Sequence, residues 1–106
     1  MTVSIVDPQR DRQLRGLLLR LLYLNHSRQD KRANSTLLAA VLQREGYDFS
    51  DDQVLTMLQD LRDRDYLRFQ HIKKASGRVY LFNIELTSKG RDLMDGISAD
   101  PAVQND

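Results

Sequence analysis

At 106 residues the chain is long enough for one small domain and too short for two. A composition that is 41% hydrophobic and 29% charged belongs to a folded globular domain, and the lack of cysteine excludes disulfides, zinc ribbons, thiol chemistry and iron–sulfur ligation. The net charge of +1 hides blocks of opposite sign: +4 over residues 1–32, −1 over 33–49, −3 over 50–65, +4 over 68–78 and −3 over 79–106. The fold should therefore present distinct positive and negative faces.

No apolar run approaches the roughly 20 residues a membrane helix needs. The opening MTVSIVDPQRDRQ lacks the basic, apolar, small-residue order of a signal peptide, so the expected location is the cytoplasm, with no membrane partner.

The first periodic segment lies between Gln9 and Asn25. Leu14, Leu17, Leu18, Leu21 and Leu22 recur at i, i+3, i+4, i+7 and i+8, the stripe of an amphipathic helix. Asp7 is the expected cap, with Pro8 at the first helical position. Leu19, Tyr23 and Leu24 lie off that stripe, which leaves open either deeper burial in the monomer or a dimer interface with the last helix through Leu93, Met94 and Ile97. The polar stretch Asn25 to Arg32 reads as a loop. A second helix starts near Asn34 or Ser35, carries Leu37, Leu38, Val41 and Leu42, and stops at Gly46.

The third helix has the clearest start. Ser50-Asp51-Asp52-Gln53 is a capping box, and the two aspartates suit the positive end of the helix dipole. Its buried stripe is Val54, Met57, Leu58 and Leu61, with an end around Asp63 to Tyr66. The period then changes to two: residues 67–71 and 79–86 alternate around a Gly-containing basic loop, an antiparallel hairpin. Thr87 caps a short last helix closed by Gly96. Residues 7–96 are thus expected to form the domain and 97–106 a flexible tail.

Three helices, a hairpin and a fourth short helix enclose a single core only if the hairpin lies on the third helix. The expected fold class is α+β: a winged helix-turn-helix with a three-helix core, a two-stranded antiparallel wing and a short C-terminal helix. The run Leu61-Arg62-Asp63-Arg64-Asp65-Tyr66-Leu67, then a basic hairpin, then Leu86-Thr87-Ser88-Lys89-Gly90-Arg91-Asp92-Leu93, resembles bacterial winged-helix regulators, many of which start the last helix with Leu-Thr-x-x-Gly. From about Arg12 to Gly96 the chain also resembles the small winged-helix proteins of Mu-like transposable phages, with a similar Gly-x-x-x-Asp-Pro tail at Gly96 to Pro101. The resemblance implies a DNA-binding or regulatory role.

Duplex affinity comes chiefly from neutralising phosphates. The wing offers Arg68, His71, Lys73, Lys74 and Arg78, although the same charges could serve only to protect a sheet edge. On the third helix Gln53, Thr56 and Gln59 are residue types that read base edges, opposed by Asp51, Asp52, Asp60 and Asp63. Arg28, Lys31, Arg32, Asn34 and Ser35 gather at the start of the second helix as a candidate phosphate clamp. The arginines of the first helix, Arg10, Arg12, Arg15 and Arg20, read more simply as a solvated face.

Catalysis is not expected. His26-Ser27 near Asp30 invites a triad reading, but His71 is remote, and neither metal-ligand spacing nor a phosphate-cradling glycine loop appears. No cofactor is expected. The expected partner is double-stranded DNA, bound by a homodimer through the first and last helices. The rival reading is a winged-helix protein-interaction or dimerisation module with little or no DNA binding.

Overall fold

The computed structural model describes residues 8–26 and 33–105. Its elements are α1 (Pro8–His26), β1 (Ala33–Asn34), α2 (Ser35–Arg44), α3 (Asp51–Asp63), β2 (Leu67–Lys73), β3 (Val79–Leu86) and α4 (Ser88–Met94). This is the expected α+β winged helix-turn-helix, with one addition. The sheet has three antiparallel strands rather than two, in the order β1-β3-β2, because the two residues before α2 pair with β3. Asp7, the expected cap of α1, lies outside the described residues.

Local chemistry sets the ends of α2, α3 and α4. Asn34 Oδ1 accepts the Leu37 N–H at 2.8 Å, Ser50 and Gln53 exchange the two bonds of the capping box at 3.1 and 2.8 Å, and Thr87 Oγ1 accepts the Gly90 N–H at 3.1 Å. Each helix is followed by a residue of positive φ (Gly46, Asp65 and Gly96). That conformation lets Tyr47, Tyr66 and Ile97 turn their N–H groups back onto the carbonyls of Leu42, Leu61 and Asp92.

The core is continuous. Leu14, Leu18 and Leu22 of α1 belong to one cluster with Val54, Leu58 and Leu61 of α3 and Leu81, Ile84 and Leu86 of β3, every one almost wholly buried. Leu19, off the main stripe, is also fully buried, because α1 packs on α4 as well as on α3 and β3. The deeper-burial reading therefore holds for Leu19 and for Leu93, which is 1% exposed. Tyr23, Leu24 and Ile97 stay exposed.

The alternation expected across residues 79–86 is interrupted. Arg68 pairs with Glu85 but Gln70 with Phe82, so β3 carries one extra residue between them. Asn83 sits there with φ 53°, a conformation Asn tolerates better than most side chains, and its Nδ2 donates to Gln70 Oε1 at 2.6 Å. The bulge resets the phase of the strand. Leu81 points inward, and beyond the bulge so do Ile84 and Leu86.

The segment after α4 corrects the expectation of a flexible tail. Val103 is 4% exposed, and Gln104 donates its N–H to the Arg12 carbonyl across α1 at 3.2 Å. Gly16 makes the crossing possible: a Cβ there would lie 1.9 Å from the Gln104 carbonyl oxygen. Earlier in the same segment Tyr66 donates to Asp100 at 2.5 Å, and at its end Asn105 Nδ2 donates to the Leu93 carbonyl at 2.8 Å. One buried valine and a set of backbone carbonyls hold the strap down.

Gly90 has a similar reason. A Cβ at this position would lie 2.1 Å from the Tyr66 carbonyl oxygen, which also accepts the Thr87 N–H at 3.0 Å. Thr87 caps α4 while its hydroxyl donates to the Asp65 carbonyl at 2.6 Å. The Leu86-Thr87-x-x-Gly90 pattern thus clamps the start of α4 onto the end of α3.

Candidate nucleic-acid interface

The wing tip is a three-residue loop. Lys74 and Arg78 close it, with the Lys74 N–H on the Arg78 carbonyl at 2.7 Å and the Gly77 N–H on the Lys74 carbonyl at 2.8 Å. Gly77 takes φ 87°, the left-handed position such a hairpin loop requires. This tight turn projects the basic residues as a group. Lys73, Lys74, Arg78 and His71 are all exposed, and among the described residues Lys73, His71 and the Arg78 guanidinium take no hydrogen bond or ion pair. Lys74 Nζ lies 5.2 Å from the Tyr80 ring centroid, an arrangement that steadies the ammonium without neutralising it. Arg68 differs. Its Nε donates to Glu85 at 2.7 Å on the opposite strand, so its charge is balanced.

An open cleft of 520 Å³ separates the wing from the starts of α2 and α3. Lys74, Arg78 and Tyr80 line one wall, and Thr36, Asp51, Asp52 and Leu55 line the other. No ion pair among the described residues joins the two walls, so the cationic tip is not folded onto the protein's own aspartates.

The helical period of α3 divides the sequence-derived candidates. With Val54, Met57, Leu58 and Leu61 buried, the ridge pointing directly away from the core is Asp52, Thr56, Gln59 and Asp63. Gln53 and Asp60 fall on the flank toward α1 instead. Gln53, expected on the outward face, lies on this flank with its Oε1 accepting the Ser50 N–H of the capping box. Asp60 is no free obstacle to an anion either. Arg15 and Arg64 both donate to its Oδ2, at 2.8 and 2.9 Å. Burial alone would raise its pKa, but the two guanidinium bonds outweigh burial and hold the carboxyl below its ordinary range.

Two members of the expected phosphate clamp are placed. Asn34 spends its side-chain oxygen on the α2 cap. Ser35 is buried, 9% exposed, and its Oγ accepts the Leu81 N–H at 3.2 Å, which corrects its assignment as a phosphate contact: it is a tie between α2 and β3. Arg28, Lys31 and Arg32 lie outside the described residues, as do Ser27 and Asp30 of the triad motif.

Arg10, Arg12 and Arg15 of α1 each spend their guanidinium on groups within the chain. Arg10 donates to the Asp48 carbonyl at 2.6 Å and lies over the Phe49 ring. Arg12 donates to the Pro101 carbonyl at 2.6 Å, and Arg15 to that of Ala102 at 3.0 Å. Arg62, also missed as a structural group, lies 4.9 Å from the Phe69 ring centroid and ties α3 to the base of the wing. An arginine in the last turn of α3 followed by an aromatic on the next strand is the faint signal that could have found it.

Among the described residues no group of three His, Cys, Asp or Glu is placed to hold a metal, and no helix is long and apolar enough to cross a membrane. No protein-family model matches the sequence, and no curated protein matches it. Solved structures do share its fold. The chain matches a PadR-like transcription factor from Bacteroides fragilis with a TM-score of 0.63 at 17% identity, covering 84% of this chain and 80% of that one. It matches Bacillus subtilis PadR, solved in complex with operator DNA, with a TM-score of 0.57 at 15% identity, covering 90% of this chain. It spans about half of that second protein, 52% of its length. What these likenesses carry is the architecture: four helices and a three-stranded antiparallel sheet arranged as in PadR-like winged-helix proteins.

Proposed function

We propose that this chain is a winged-helix DNA-binding protein with a role in transcriptional or phage regulation, holding duplex DNA by its basic wing and laying the outward ridge of α3 against the bases. The observation that carries this reading is the contrast in how cations are used. Lys73, Lys74 and Arg78 project together from a tight turn with no carboxylate partner, whereas Arg10, Arg12 and Arg15 are spent inside the fold. Unpaired cations on a projecting ribbon supply the phosphate neutralisation on which duplex affinity rests. The operator DNA held by the PadR structure supports the same reading by analogy of fold. The reading requires neither a cofactor nor catalysis.

Fluorescence anisotropy of labelled duplex at about 50 and 200 mM salt tests it. Binding through the wing gives a steep salt dependence, and Lys73→Ala or Lys74→Ala lowers the slope by about one unit each. Thr56→Ala and Gln59→Ala should weaken sequence preference while leaving that slope unchanged. A homodimer belongs to the same reading, since two-fold symmetry suits palindromic sites; its surface would be the exposed Leu24 and Ile97, and light scattering measures it.

The acidic residues on the α3 ridge, Asp52 and Asp63, favour a second reading, a winged-helix protein-interaction module. Absence of duplex binding at 50 mM salt would select that module.

A further inference from the structure

We infer that Asp52, rather than Gln53, is the base reader at the N-terminal end of α3, and that it selects cytosine through the exocyclic N4 amine. This rests on the DNA-binding reading above and names what that site recognises.

Three neighbouring residues at the start of α3 have three different fates. Gln53 lies off the outward ridge, and its side-chain oxygen is held in the capping box by the Ser50 N–H while its backbone N–H donates to Ser50 Oγ. Asp51 accepts from Gln43 Nε2 at 3.1 Å and is held toward α2. Asp52 is exposed, lines the cleft and has no hydrogen bond or ion pair with any described residue. Its carboxylate is not needed to satisfy the helix start, because the capping box already serves the Ser50 and Gln53 N–H groups. It is also the first residue of the outward ridge. The N-terminal residues of a recognition helix are the ones that meet base edges when such a helix enters a major groove.

A carboxylate can only accept hydrogen bonds. In the major groove it therefore requires a donor, and it is repelled by the N7 and O6 acceptors of guanine and the O4 of thymine. Adenine offers its N6 amine beside an N7 acceptor, whereas cytosine offers its N4 amine with no acceptor beside it on the exposed edge, so cytosine is the base a lone carboxylate prefers. The cost of bringing an anion near phosphates is met across the cleft, where Lys74 and Arg78 face Asp52 without pairing to it. Affinity and selectivity are thereby divided between two walls: the wing supplies phosphate attraction, and Asp52 makes binding conditional on the base beneath it.

Selection from randomised duplexes at about 50 mM salt, run with the wild type, Asp52→Asn and Asp51→Asn, tests the inference. The wild type should enrich a cytosine position, disfavouring other bases by about fivefold or more. Asp52→Asn should lose that position and bind mixed-sequence duplex severalfold more tightly, because a charge that repels phosphate has gone. Asp51→Asn should keep the position. Thermal melting of all three proteins confirms that each is folded. If the wild type binds duplex but enriches no cytosine, or if Asp52→Asn keeps the enriched base, the inference fails while the DNA-binding reading stands. If the wild type binds no duplex at 50 mM salt, the DNA-binding reading itself fails and takes the inference with it.

Discussion

The first 32 residues and the wing, residues 68–78, carry the same charge of +4, yet the fold uses Arg10, Arg12 and Arg15 of α1 and the cations of the wing oppositely. On α1, Arg10, Arg12 and Arg15 donate to backbone carbonyls of Asp48, Pro101 and Ala102, and Arg15 also meets Asp60. On the wing, Lys73 and Arg78 extend beyond any acceptor among the described residues. The difference does not lie in the basic residues. It lies in what passes beside them: the loop at Asp48 and the strap at Pro101 and Ala102 bring carbonyls within reach of α1, while the hairpin turn uses its Lys74 and Arg78 carbonyls within the loop. Charge counted along a sequence shows where cations are; the supply of neighbouring acceptors decides which of them a partner can use.

The largest expected effect comes from removing the strap. Gly16→Ala places a Cβ 1.9 Å from the Gln104 carbonyl oxygen, a contact that backbone on both sides cannot relieve without movement. The full chain should lose about 3 kcal/mol of stability on chemical denaturation, despite the better helix propensity of alanine. In a chain ending at Gly96 that penalty should disappear. Displacing the strap also releases Arg12 from the Pro101 carbonyl, while Arg15 keeps its bond to Asp60, so Gly16→Ala should steepen the salt dependence of duplex binding slightly. Equal penalties in the full and shortened chains would show that the strap does not exclude a side chain there.

Next in size is the functional half of the contrast. Lys73→Ala, Lys74→Ala and Arg78→Ala combined should weaken duplex binding at 50 mM salt by about a hundredfold and lower the salt slope by about three, with little change in melting temperature. Arg12→Ala with Arg15→Ala should do the reverse: a lower melting temperature and an unchanged slope. Interchanged outcomes would break the comparison outright.

These contrasts mark what could be read from the sequence. The helices were legible because their apolar stripes have a fixed period, and their starts because Ser50, Gln53 and Thr87 are side-chain caps with defined spacing. The cationic tip was legible because a glycine-containing turn between alternating strands has few conformations. The strap was not, since carbonyl groups have no sequence signature and Val103 is a single apolar residue in a polar stretch. Nor was β1, whose two residues are extended because β3 lies beside them. Ser35 was misassigned because a polar residue at a helix start can face a ligand, a backbone N–H or its own cap, and only the packed structure chooses.

A smaller effect tests the link between the strap and α3. Tyr66 is pushed up to about 12 from its ordinary 10.0 by burial and by its bond to Asp100. Asp100 is held below its ordinary 3.8 by that bond and by the Ala102 N–H. The raised tyrosine contributes stability that is complete below pH 10 and lost as pH climbs toward 12. The lowered aspartate contributes stability that is complete above about pH 4 and lost as pH falls through its depressed value. Tyr66→Phe should cost about 1 kcal/mol at neutral pH and flatten both limbs of the stability profile. Unchanged limbs would assign the pH dependence to other groups.

The smallest effect sharpens the edge of the interface. Arg68 and Glu85 form a 2.7 Å pair, but their side chains are 68% and 57% exposed, so the pair contributes no more than about 0.5 kcal/mol. Glu85→Gln should therefore leave the melting temperature nearly unchanged. Its consequence, if Arg68 belongs to the DNA-facing surface, is electrostatic: releasing the guanidinium and removing a negative charge should tighten duplex binding about two- to threefold at 50 mM salt, with most of the gain screened away at 200 mM. The change is small because an exposed pair gives up its charge readily even when intact. A gain at low salt would extend the usable cationic surface from the wing tip down to its base. No gain at either salt would confine it to Lys73, Lys74 and Arg78, leaving Arg68 with Arg10, Arg12 and Arg15 as a cation the fold has already used.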